Sequence, residues 1–266
     1  MNANRAKYLA AMLALTLAPA ASWALNGGEG IGGSPHDFTS TGTGDASGLA
    51  QGIGVCTFCH TPHKANSTLL LWNHTLSSNT FRWDVPTTTA GTILPQIVGN
   101  TYKGPSAKCL SCHDGSVAIG DIYWFKEQPN QGANALTQAK MTDFNVEFQV
   151  GVGGNMAGNH PVTVPYPLGN VANTYNGTTN GNMLALNEWQ SDPVSLTGAN
   201  IRLFKDDGSG NMSAIPKGSV STSAGIECSS CHDPHNKASV DDLFLRGKIS
   251  GSSQADGYIC LQCHIK

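Results

Sequence analysis

One short pattern occurs four times in this chain: Cys56-Thr57-Phe58-Cys59-His60, Cys109-Leu110-Ser111-Cys112-His113, Cys228-Ser229-Ser230-Cys231-His232 and Cys260-Leu261-Gln262-Cys263-His264. The four copies use all eight cysteines and four of the nine histidines. Two thiols three positions apart fall on one side of a helical turn, and the next residue brings an imidazole beside them. That is the arrangement for attaching one haem through both of its vinyl groups and binding its iron with the adjacent ring. A thioredoxin-like pair needs neither the following histidine nor four repeats. Structural zinc takes two C-x-x-C units per ion and does not require a histidine after each. The expectation is four covalently bound haem c groups. Their thioethers fall on Cys56, Cys59, Cys109, Cys112, Cys228, Cys231, Cys260 and Cys263, and their proximal ligands are His60, His113, His232 and His264.

Five histidines lie outside the motifs: His36, His63, His74, His160 and His235. Four of them follow an internal duplication. The first half reads Cys56 to His63 as C-x-x-C-H-T-P-H and later C-L-S-C-H. The second reads Cys228 to His235 as C-x-x-C-H-D-P-H and later C-L-Q-C-H. Upstream of each half a histidine adjoins a proline, His36 after Pro35 and His160 before Pro161. His36, His63, His160 and His235 are therefore the candidate distal ligands, with His74 a weaker one that has no counterpart. Met156 and Met183 are the competing distal ligands. His63 and His235 each follow a proximal histidine by three residues, too closely to reach the far face of the same haem. Each should serve another haem, in this chain or a neighbouring one. Bis-histidine ligation predicts a low-spin spectrum for every haem and leaves no open position for an enzyme to use.

Arg5 and Lys7, the apolar run Leu9 to Ala21 and the small-x-small triplet Ser22-Trp23-Ala24 have the layout of a cleaved secretory signal over residues 1–24. The run is short for a membrane anchor. Export makes disulfides the default for eight cysteines, but the spacing argues otherwise. The formal net charge of −3 and the lack of a basic patch argue against nucleic-acid binding. No span of the membrane is expected.

Only 39% of residues are hydrophobic and 12% charged, while glycine fills 31 positions. A doubly wound sheet or helical bundle would carry more leucine and less glycine. The expected fold is thus mostly loop, with short helices and a few short strands wrapped round a chain of four haems. Residues 25–266 would form one body, its duplicated haem-pair motif spanning about 36–113 and 160–264; two lobes are the alternative. Residues 114–227 hold no motif. Within them the alternation of Phe144 to Val150 predicts a strand, Val162–Val164 and Ile201–Phe204 shorter ones, and Gly208–Asn211 a turn. Trp72, Phe81, Trp83, Tyr123, Trp124 and Phe125 are expected to pack against haem.

Ser34-Pro35-His36-Asp37-Phe38, the two C-x-x-C-H-x-P-H runs, Leu71-Trp72-Asn73-His74, Cys109 to Gly115 and Asn159-His160-Pro161-Val162 together resemble the doubled-CXXCH multihaem c-type cytochromes of metal-reducing bacteria. Among these the chain is most similar to the tetrahaem extracellular filament group. The resemblance runs from His36 to His264. It implies electron transfer along an extracellular polymer, with one distal histidine, here His63, donated to a haem of the neighbouring copy. It also implies redox-partner cytochromes and extracellular electron acceptors as partners, and a location at the cell surface or beyond. A monomeric periplasmic or secreted electron shuttle is the alternative, and a multihaem oxidoreductase a more distant one.

Overall fold

The computed structural model describes residues 29–49, 52–66, 70–88, 91–126, 128–182 and 187–265. The signal segment and Met183 lie outside them. Regular elements are short and most of the described chain is turn and loop. Among the described residues the longest helix, α1 (Pro105–His113), has nine residues. Pro105 opens it where a missing N–H costs nothing, after Gly104 at the N-cap. Two further helices, α2 (Cys228–Cys231) and α3 (Ile259–Cys263), are single turns.

Among the described residues ten strands of two to four residues form four antiparallel sheets. β1 (Thr80–Phe81) pairs with β2 (Ile97–Val98), and β3 (Ile122–Phe125) with β4 (Gln128–Asn130). β6 (Thr174–Tyr175) and β7 (Thr178–Thr179) form a hairpin across Asn176-Gly177. Both turn residues have positive φ, +47° and +72°, as a tight hairpin requires. The one larger sheet has the order β5 (Val164–Pro165), β10 (Ala224–Ile226), β8 (Phe204–Asp206), β9 (Met212–Ala214). The expected turn at Gly208–Asn211 joins β8 to β9, tied by Asp207, whose carboxylate accepts the Ser209 and Asn211 N–H groups.

Three predicted strands differ from expectation. Phe144–Val150 forms no strand; its core is the 3-10 turn Val146–Phe148. Asn145 accepts the Glu147 N–H at 3.2 Å, which closes the turn locally and withdraws the backbone from sheet pairing. The short candidates are displaced, with pairing starting at Val164 and at Phe204. The motif-free stretch also does more than cover a haem chain. Its sheet residues Val164, Tyr166, Tyr175, Phe204, Met212 and Ile226 pack with Phe81, Ile97 and Leu110 into a core of their own. Aromatic rings and aliphatic side chains such as Leu94, Leu168, Leu203 and Ile215 share it. A second, smaller cluster of Ile53, Phe58, Ile119 and Ile122 lies beside the first motif. No described helix is long and apolar enough to cross a membrane.

Candidate functional site

Each of the four motifs sits on a helical turn. The N–H of His60 donates to the Cys56 carbonyl at 2.9 Å, and those of His232 and His264 to Cys228 and Cys260 at 3.0 Å. The second motif is the C-terminal half of α1. The four turns follow one another in space as they do in sequence. Cys59 is electrostatically coupled to Cys112, Cys109 to Cys228, and Cys231 to both Cys260 and Cys263. β10 runs straight into the third motif and sets it against α1.

Three of the four proximal rings share one kind of support. Nδ1 of His60 meets the Leu70 carbonyl at 2.7 Å, that of His113 the Phe148 carbonyl and that of His232 the Leu243 carbonyl, both at 2.8 Å. Two distal candidates are held alike, His36 by the Pro234 carbonyl at 3.2 Å and His160 by the Pro161 carbonyl at 2.9 Å. A carbonyl can only accept, so Nδ1 carries the hydrogen and Nε2 presents a lone pair. Metal-ligating histidines are oriented in this way.

Three of the proximal rings face a candidate distal ring. Centroids are 6.2 Å apart for His36 and His113, 6.0 Å for His60 and His235, and 6.4 Å for His160 and His264. A metal between two imidazoles, with bonds of about 2.0 Å to each nitrogen, sets ring centres about 6 Å apart. His235 therefore faces the proximal ring of the other half, across from its own motif. Burial, reinforced by His113, lowers His36 to about 4; burial also lowers His113 and His235. All three are neutral at neutral pH, the state a metal requires.

The remaining candidates behave differently. His63 and His232 are exposed, as are His160 and His235, but among the described residues neither His63 nor His232 faces another histidine ring. His74 is fully buried, with Nε2 on the Ile119 carbonyl at 2.7 Å. Its ligating nitrogen is thus occupied, and no proximal ring stands opposite. Met156 is buried in the larger core.

The residues fit a macrocycle better than a bare ion. No group of three or more His, Cys, Asp or Glu side chains converges among the described residues, so each histidine pair is a two-ligand site. Burial pushes the Cys59 thiol up to about 12 and that of Cys231 to about 11, and raises Cys263 as well. Protonated thiols are poor zinc ligands and poor exchange nucleophiles. No disulfide joins the eight cysteines.

Three contributors escape sequence reading. Arg246 is buried, pairs with Asp233 at 3.2 Å and reaches the Ser229 and His232 carbonyls. Trp189 lies 4.6 Å from the His264 ring. Glu227 fills the joint between the second and third motifs. Of the aromatic residues expected beside haem, Trp72 lies 5.9 Å from the His60 ring, whereas Phe81 and Trp83 belong to the larger core. No protein-family model matches the chain, and no curated protein matches it either.

Proposed function

We propose that the chain is a tetrahaem c-type cytochrome that transfers electrons and assembles, copy after copy, into an extracellular conducting filament. The observation that carries this is the set of three histidine pairs at ligand spacing, each joining a C-x-x-C-H histidine to one outside the motifs. The eight cysteines would hold four haems, with His36, His235 and His160 as distal ligands to the partners of His113, His60 and His264. Bound haem supplies one-electron chemistry at iron. The chain's own work is to fix the rings through backbone carbonyls, so that ligands stay put through a change of charge, and to line the four attachment turns in series.

His232 and His63 support the assembly. Each is exposed, and the loop after each motif carries exposed apolar side chains, Leu70 and Leu71 in the first and Val240 and Leu243 in the second. A patch that fits a different patch on the next copy makes an open, growing polymer. His63 of one copy would complete the site of His232 in the next.

The test is to purify the secreted full-length protein, count thioether haems by mass and alkaline pyridine spectra, and image it. Four haems and filaments are expected. In dissociated monomers one haem in four should turn high-spin and bind carbon monoxide, and polymerisation should close it. Monomers that stay fully low-spin at high concentration would favour the shuttle. Carbon monoxide binding or high-spin signals persisting in the filament would favour an oxidoreductase.

A further inference from the structure

Glu227 is fully buried and stands immediately before Cys228. Its Oε2 accepts two hydrogen bonds from Ser106, one from the backbone N–H at 3.0 Å and one from the hydroxyl. Its Oε1 accepts from the hydroxyls of Tyr102 and, at 2.6 Å, Tyr175. The Ser106 oxygen itself accepts the Cys228 N–H at 3.0 Å, so its hydrogen is committed to the carboxylate. Four donors converge on two oxygens, and Oε2 has no lone pair left for a proton. Burial raises its carboxyl above the ordinary value, while the Ser106, Tyr102 and Tyr175 donors oppose that rise by favouring the ionised form.

No cation is close enough to form an ion pair with it among the described residues. Lys108 attracts it, but the lysine Nζ donates to the Lys103 carbonyl at 2.8 Å. Beyond Tyr175 lies another negative group, Asp206. A buried charge held only by dipoles is costly, and an apolar side chain of similar size often serves packing as well or better. The location shows what the charge reaches. Ser106 is three residues before Cys109 on α1 and donates to Glu227, which adjoins Cys228, and the Cys109 and Cys228 thiols are electrostatically coupled. In a dry interior such a charge is little screened.

Resting on the haem assignment above, we propose that Glu227 is a potential-setting residue: its fixed negative charge is shared by the haems of the second and third motifs and favours their oxidised state. These two midpoints are thereby lowered, while those of the outer motifs are not. Net charge and burial near the iron are recognised levers on haem potential.

The experiment is an optical redox titration of the full-length, haem-loaded protein with dithionite in mildly alkaline buffer, comparing wild type with Glu227→Gln, Glu227→Met and Glu227→Asp. Gln and Met should move two of the four waves to higher potential and leave the other two in place. Asp keeps the charge and should stay near wild type. Four unmoved waves in Gln or Met, or an equal shift in Asp, would overturn the proposal. So would a requirement for the charge in folding, seen if only Asp yields haem-loaded protein. A wild-type protein without thioether haem would instead overturn the haem assignment, and its absorbance reveals that before any titration.

Discussion

The loops after the first and third motifs are built on one backbone plan with different side chains. Thr61 N–H donates to Leu71 and Asp233 N–H to Phe244; Asn73 N–H returns to Cys59 and Arg246 N–H to Cys231. The side chains of Asn73 and Arg246 then reach the equivalent carbonyls, Thr57 at 2.8 Å and Ser229 at 3.0 Å. Even the strained residue after each second histidine recurs, Lys64 with φ +53° and Asn236 with φ +50°. Yet His235 turns to face another ring, and His63 points to solvent. The shared hydrogen bonds hold the proximal rings. What each loop packs on decides where its second histidine goes.

That comparison can be broken most severely at the ligands. His235→Ala should leave the partner of His60 five-coordinate, giving a high-spin haem in both monomer and filament. His63→Ala should leave the monomer spectrum unchanged and abolish filaments. Electron paramagnetic resonance with microscopy reads both, and equal spectral effects in the monomer would show that the two histidines are not distinct.

The cross-strut comes next. Arg246→Ala removes the cation from a buried carboxylate that keeps three backbone N–H donors, and with it the Arg246 bonds to the Ser229 and His232 carbonyls; it should cost up to about 3–5 kcal/mol. Asn73→Ala loses neutral hydrogen bonds and should cost about 1–3 kcal/mol. Denaturant midpoints rank the two, and an equal loss would mean that the ion pair adds nothing to the shared plan.

The smallest effect concerns the approach to His36. Asp37 is buried and accepts from the Gly33 and Thr39 N–H groups and the Thr39 and Thr41 hydroxyls. Burial alone would raise its carboxyl, but these donors outweigh it and hold it at about 2, below the usual 3.8. A depressed folded value stabilises the protein above the unfolded one. This contribution should be complete above about pH 4 and fade as pH falls towards 2. Asp37→Asn should flatten that part of the acid-unfolding curve. The counterpart His160 has no neighbouring carboxylate in Asn159 or Pro161 and should add no such slope.

The short elements and the turn at Gly208–Asn211 were legible because they depend on motif spacing and glycine content, whereas the hairpin across Asn176-Gly177 went unread within its polar stretch. The duplication was visible in the cysteines, but Arg246 was not. The carbonyl holding His60 is ten residues on and that holding His232 eleven, so the struts fall out of register. Glu227 was hidden because a lone glutamate announces nothing until Tyr102, Ser106 and Tyr175 close on it from distant segments. The alternation at Phe144–Val150 misled because Asn145 makes a local bond that periodicity ignores.

The supports of the proximal rings at Leu70, Phe148 and Leu243 are main-chain oxygens. Any residue that preserves the loop's path keeps that oxygen, whatever its side chain. Drift at these three positions would therefore be chemically silent. A scaffold supported in this way can change most of its letters while its imidazoles keep their aim.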